Sequence, residues 1–249
     1  MAEAVVRGAV ASGFLRPEQV LAADVSEDRR AVFQAMGTRT TAEAAEAVAC
    51  ETVLLAVKPQ ALAGVQGLRP GPLYVSIMAG VTLATLGEAG CGNRVVRVMP
   101  NTPLMIGQGM SALAAGVGCD ADDWERAERL FSGSGRTIWV GEPALDAVTA
   151  VSGSGPAYLF YLAEAMEAAA RAEGFDTPTA RLLVSQTLRG AAELLAQGTA
   201  TPTELRERVT SPNGTTHAAI QTFEAEGVGP GLRAGVAAAA TRSRELGGP

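Results

Sequence analysis

The chain has one histidine, three cysteines and, in Lys58, a single lysine, so several chemistries are short of parts from the start. His217 has no serine or cysteine nucleophile and no carboxylate at a telling spacing, which disfavours a hydrolytic triad. Cys50, Cys91 and Cys119 are odd in number and lack paired metal-type spacing. They read as reduced thiols in a cytosolic protein, with no metal among the expected ligands. The formal charge is −6 and no Lys/Arg cluster stands anywhere, which argues against nucleic acid or an acidic membrane as partner. No apolar run reaches about 18 residues. The N-terminus also lacks the basic-then-apolar order of a signal peptide, so the expected location is cytoplasmic and the expected partner a small molecule. What is present is ample core material: 249 residues at 47% hydrophobic content suit one large domain or two of about 100 to 150 residues.

In the first half, short apolar runs alternate with helical patterns: Val20 to Ala23, Thr52 to Val57, Leu73 to Ile77 and Val95 to Val98. Each reads as a buried strand, and the alternation predicts an α/β fold, a doubly wound parallel sheet of the Rossmann-like, dinucleotide-binding kind. Met110 to Ala114 and Thr137 to Val140 add edge strands around a helix over Asp122 to Phe131, closing a first domain of residues 1–143. Strand signals then stop. Residues 144–249 read as helix, capped turn and helix again, punctuated by Gly174, Pro202, Pro212 and Gly227.

The segment Leu205 to Glu224 sets a proline stop, an Asn-Gly turn and a double-threonine helix start in succession. Pro212 ends the preceding helix, Asn213-Gly214 takes left-handed backbone angles, and Thr215 or Thr216 caps the next helix. The unpaired amides of that first turn favour a carboxylate or phosphate, although such a turn also serves as plain connection.

A second segment, Asp146 to Tyr161, carries Ser-Gly-Ser-Gly-Pro-Ala-Tyr into a long alanine-rich helix. Upstream stand Val53 to Gln60, Ser76 to Thr82 and Arg97 to Pro103, the last containing Met-Pro-Asn-Thr-Pro. These motifs, in this order and spacing from Met1 to about Leu246, resemble the pyrroline-5-carboxylate reductase family. The resemblance implies reduction of 1-pyrroline-5-carboxylate to L-proline by hydride from NADPH (NADP) or NADH (NAD). It also implies a homodimer, or a multiple of one, built on the helical domain. In the substrate loop it implies that Ser211, Gly214 and Thr215 hold the substrate carboxylate and that the Thr216 hydroxyl addresses the ring nitrogen. Asn213 stands where relatives usually have glycine, and asparagine tolerates the left-handed angles.

For the cofactor, the resemblance implies that Ala56, Val57, Lys58 and Pro59, and then Ile77, Met78 and Ala79, form two loops along its middle and nicotinamide end. Lys58 either carries charge near the phosphates or is merely exposed. Asn101 either contacts the nicotinamide region or caps a turn. After the second strand, Asp24 and Ser26 flank a valine where many relatives place an arginine for a 2′-phosphate. Asp24 either accepts from a free ribose hydroxyl or caps a helix, and Arg29 or Arg30 can replace the missing arginine.

The family also begins with a strand and a Gly-x-Gly loop that Met1-Ala2-Glu3-Ala4 does not provide. That strand lies at the centre of a dinucleotide-binding sheet, so a gap is expected there, and with it a misplaced start codon or a truncated chain. Three rivals remain: a reductase of a related cyclic imine acid, a non-catalytic ligand-binding dimer, and a 3-hydroxyacid dehydrogenase. The last would place a lysine on the first interdomain helix, where none stands.

Overall fold

Aliphatic runs form the strands and polar caps start many of the helices between them, in a computed structural model that describes residues 1–247. The chain divides into two units. Met1–Ser154 with the residues from Ala239 onward make the first, and Gly155–Ala238 the second. Residues 144–154, which the sequence pattern grouped with the helical half, thus stay with the first unit, as does the end of the last helix.

The first unit runs α1 (Ala2–Ala11), β1 (Leu21–Ala23), α2 (Glu27–Gln34), β2 (Arg39–Thr41), α3 (Ala44–Val48), β3 (Thr52–Leu55) and β4 (Leu73–Ser76). It continues through α4 (Leu83–Leu86), β5 (Val95–Pro100), β6 (Gly109–Ala115), α5 (Ala121–Ser132), β7 (Gly135–Trp139) and α6 (Leu145–Val148). β3, β4 and β5 are parallel neighbours, β6 joins β5 antiparallel, and β7 lies parallel to β6. β4 is buried at all four positions, as a central parallel strand covered on both faces requires. Its alternation sends Leu73 and Val75 to one core layer, under Val5 of α1 and Phe131 of α5. Tyr74 goes to the other layer, with Val53, Leu62 and Leu86.

No apolar run announces β2, whose residues are Arg39, Thr40 and Thr41. It is a short edge strand paired only with β1, so it needs no continuous hydrophobic face. The expected gap is present: β1 and β2 form a sheet of two strands apart from the five-stranded sheet, with no ladder between β1 and β3.

A half-buried ion pair ties the residue before β5 to α5. The Asp123 carboxylate, 1% exposed, accepts from Arg94 Nε at 2.8 Å and Nη2 at 2.7 Å, and Arg94 Nη1 donates to the Gly71 carbonyl at 2.9 Å. Asp120 caps α5 by accepting the Asp123 amide at 2.9 Å, half of a reciprocal capping box.

The second unit contains α7 (Gly155–Ala172), α8 (Thr177–Ala196), α9 (Pro202–Arg208), α10 (Thr215–Ala225) and the start of α11 (Val228–Gly247). Pro156 sits in the first turn of α7, where its missing N–H costs nothing. Among its described residues only Ala180 and Val184 are buried, while Phe160, Tyr161 and Leu182 are 65%, 74% and 67% exposed. From Ala239 the end of α11 belongs to the first unit, where Ser243 Oγ donates to Asp146 Oδ1 at 2.6 Å.

Candidate active site

At the end of β1 the chain turns through Asp24, whose Oδ1 accepts the Ser26 amide at 2.9 Å. Ser26 in turn caps α2, its Oγ accepting from the Arg29 amide at 3.4 Å. Asp24 thus shapes the turn with one carboxylate oxygen, and the other has no protein partner among the described residues. Arg30 Nη1 donates to the carbonyls of Asp24 and Val25 at 2.8 and 3.1 Å. Arg29 pairs with Glu3 at 3.3 Å. Both arginines offered as phosphate partners are therefore engaged within the chain.

Ala56 and Val57 follow β3 and are exposed, as is Lys58, and Pro59 opens a 3-10 turn over Pro59–Gly64. After β4, Ile77 is half-buried, Met78 is buried with its amide donating to Ser76 Oγ at 3.3 Å, and Ala79 is exposed. Asp24, Ala56 and Val57 line one cavity together with β1 and β3; Ser26, Lys58, Pro59, the Ile77 to Ala79 loop and Asn101 do not line it.

Asn101 has both ends of its amide occupied. Its Oδ1 accepts the Met110 amide at 2.9 Å, and Nδ2 donates to the carbonyl and Oγ of Ser152, both at 3.2 Å. Ser152 belongs to the Ser-Gly-Ser-Gly-Pro motif, and the sequence alone assigned it no partner. Asn101→Ala is expected to lower unit stability by about 1–3 kcal/mol, because the Met110 amide and the Ser152 groups lose their partner. Thermal unfolding checks this, and an unchanged midpoint with weakened nucleotide binding would make Asn101 a ligand contact instead.

In the second unit, Asn213 takes φ +60°, the one left-handed non-glycine residue among those described. The turn closes with the Gly214 amide donating to the Ser211 carbonyl at 3.0 Å. The cap of α10 is Gly214, with no side-chain hydrogen bond, and not Thr215 or Thr216. The reason is positional: both threonines already lie inside the first turn of the helix, so their hydroxyls are left over instead of spent on capping. The first intrahelical bond runs from the Ala218 amide to the Gly214 carbonyl, so the amides of Thr215, Thr216 and His217 have no backbone acceptor. His217 Nδ1 accepts the Asn213 amide at 3.3 Å, a local brace of the turn. Ser211, Gly214, Thr215 and Thr216 therefore converge on one helix start that presents amide donors and free hydroxyls.

The three cysteines are free, and burial pushes the Cys91 thiol up to about 11, which leaves it protonated and inert near neutrality. Among the described residues no acidic, cysteine or histidine group is arranged to hold a metal, and no helix is long and apolar enough to cross a membrane.

Residues 142–246 match the family model described as pyrroline-5-carboxylate reductase dimerisation. Residues 1–80 match the one described as NADP oxidoreductase, coenzyme F420-dependent. A pyrroline-5-carboxylate reductase of Pseudomonas aeruginosa is 43% identical over 256 residues, covering 99% of this chain and 93% of its own. The Arabidopsis thaliana enzyme is 38% identical, over 99% and 92% of the two chains. The structure of a pyrroline-5-carboxylate reductase from Coxiella burnetii superposes with a TM-score of 0.90 at 32% identity, over 100% and 95% of the chains. That of the Plasmodium falciparum enzyme, with NADP bound, gives 0.86 at 25% identity, over 98% and 93%. Identity of this size across nearly every residue leaves no room for a match confined to the fold, and the chain belongs to the pyrroline-5-carboxylate reductase family.

Proposed function

We propose that the chain reduces 1-pyrroline-5-carboxylate to L-proline with NADPH or NADH. The observation that carries this reading is the near-full-length identity to the Pseudomonas aeruginosa reductase. The start of α10 supplies the chemistry that such a substrate needs. Three unpaired amides and the positive end of an 11-residue helix suit its carboxylate. We assign the carboxylate to Ser211, Gly214 and Thr215, and the ring nitrogen to the Thr216 hydroxyl. A cyclic imine can enter already protonated, so placing it and supporting its charge matters more than a strong acid or base. That agrees with a loop holding no carboxylate and one histidine spent on bracing its own turn.

Features of the first unit suit a dinucleotide: the open oxygen of Asp24 can accept from a ribose hydroxyl, and the small exposed Ala56 and Ala79 leave room beside the strand ends. When bound, the nicotinamide supplies the hydride. Ser26, Val57, Lys58, Pro59, Ile77, Met78 and Asn101 complete the proposed cofactor surface, with residues 1–143 as its domain. Residues 144–249 are assigned to dimerisation and substrate binding. A second unit with two buried residues and exposed Phe160, Tyr161 and Leu182 has too little core to stand uncovered, which supports a homodimer. The free thiols agree with a cytoplasmic location.

Purified protein given 1-pyrroline-5-carboxylate is expected to form L-proline while oxidising NADPH or NADH. Preference for a six-membered cyclic imine acid would change the substrate, and turnover of neither would remove the activity.

A further inference from the structure

His217 stands beside the residues assigned to the substrate and holds the turn that carries them. The 3.0 Å bond from the Gly214 amide to the Ser211 carbonyl closes a four-residue turn, with Pro212 and Asn213 at its two central places. Proline suits the first place. The second requires a positive φ, which glycine takes freely and Asn213 takes at +60°. A residue other than glycine keeps such an angle only where its surroundings hold it there. Asn213 is exposed, and among the described residues it makes one hydrogen bond, from its amide to His217 Nδ1 at 3.3 Å. His217 is half-buried and is the third residue of α10. Its ring reaches back over the turn as a glutamate or glutamine does from this place in a capping box, except that it takes the amide one residue before the cap, Gly214. Accepting through Nδ1 requires the neutral ring with its proton on Nε2, so the brace adds an acceptor and no negative charge beside a site for an anion.

The turn decides what the loop presents. A Cβ placed on Gly214 would strike Ser211 Oγ, so the closed turn brings Ser211 against the helix cap. The amides of Thr215 and Thr216 follow directly on Gly214, and their direction is inherited from its backbone angles. We propose that His217 is a positioning residue: by holding the Asn213 amide it keeps the turn closed, with Ser211 and the first amides of α10 in one arrangement, and so raises the affinity of the loop for a carboxylate. The inference rests on the assignment of this loop to the substrate carboxylate. Without the bond the Asn213 amide turns to water and the residue is free to leave the left-handed region. The donors must then be ordered at the moment of binding, and that cost weakens the complex.

Two substitutions in the full chain test this. His217→Phe keeps a flat ring and removes the acceptor, whereas His217→Gln restores an acceptor of the kind that a capping box uses. Hydrogen exchange is read at the Asn213 amide, and the dissociation constant for L-proline, the carboxylate probe, is read from the Thr215 and Thr216 amide signals. In His217→Phe both the exchange rate and the dissociation constant are expected to rise about three- to tenfold, the effect of one net hydrogen bond, and His217→Gln is expected to return both toward wild type. Unchanged exchange in His217→Phe, faster exchange with unchanged affinity, or no recovery in His217→Gln would each overturn the proposal. Failure of the wild-type chain to bind L-proline would remove the carboxylate assignment and the proposal with it. Binding with the expected pattern but no turnover would support the role of His217 while ending the reductase reading, because neither readout depends on hydride transfer.

Discussion

Replacing Thr216 by alanine is expected to lower the rate of imine reduction by about a hundredfold or more, with the fold and oligomeric state unchanged. The substitution removes one hydroxyl from a half-buried position in the first turn of α10, and that hydroxyl makes no hydrogen bond among the described residues. Nothing structural depends on it, so stability has no reason to fall. The loss should appear in kcat, since a donor with the role proposed for Thr216, at the ring nitrogen, counts most while charge changes there. Thr215→Ala is the useful contrast. A residue assigned to the substrate carboxylate acts on binding before and during the reaction alike, so its removal should raise KM and leave kcat nearly unchanged. Steady-state kinetics of the two variants, with thermal unfolding as the fold control, decide the matter. Wild-type rates in the Thr216 variant would take that residue out of the mechanism.

Arg94→Ala is expected to cost about 3 kcal/mol of stability, because it leaves the 1%-exposed Asp123 carboxylate charged, buried and without its fork of two donors. For a chain of this size that lowers Tm by about 6–12 °C, compared at one protein concentration because assembly shifts Tm as well. The pH dependence has a definite sign. Burial works to raise the Asp123 carboxyl, yet the Arg94 guanidinium and the Asp120 amide outweigh it and hold the group below its usual value of 3.8. A carboxyl depressed by folding stabilises fully above that value, and its contribution drains away as pH falls through the lower folded-state value. In the Arg94→Ala chain burial loses its main counterweight and keeps only the Asp120 amide and the Arg126 charge against it, so protonation becomes easier and the difference from wild type should narrow on acidification. Equal midpoints for the two chains at neutral pH would show that the pair contributes nothing.

Much of the fold was legible because the elements that carry it are periodic or capped. β4 is apolar through Leu73, Tyr74 and Val75, and a strand buried on both faces has no other way to be written. α5 begins at an aspartate capping box. β2 was not legible, since Arg39-Thr40-Thr41 carries no hydrophobic signal and becomes a strand only because β1 offers an edge to it. The helix start at Thr215 was legible as a turn, but its cap was assigned to a threonine, whereas Gly214 holds that place. The two choices differ by a single residue, and only the backbone angles separate them.

By itself the sequence determined the alternation of strand and helix, the helical second half, the Asn213-Gly214 turn and the family, because each rests on local chemistry or on motifs in order. Tertiary structure alone decided what faces what. It placed Asn101 between the Met110 amide and Ser152, sank Asp123 under Arg94, and set β1 and β3 along one cavity. Such facts depend on residues far apart in the chain meeting in space, and no local pattern of side chains records which distant group a buried amide, carboxylate or strand edge will meet.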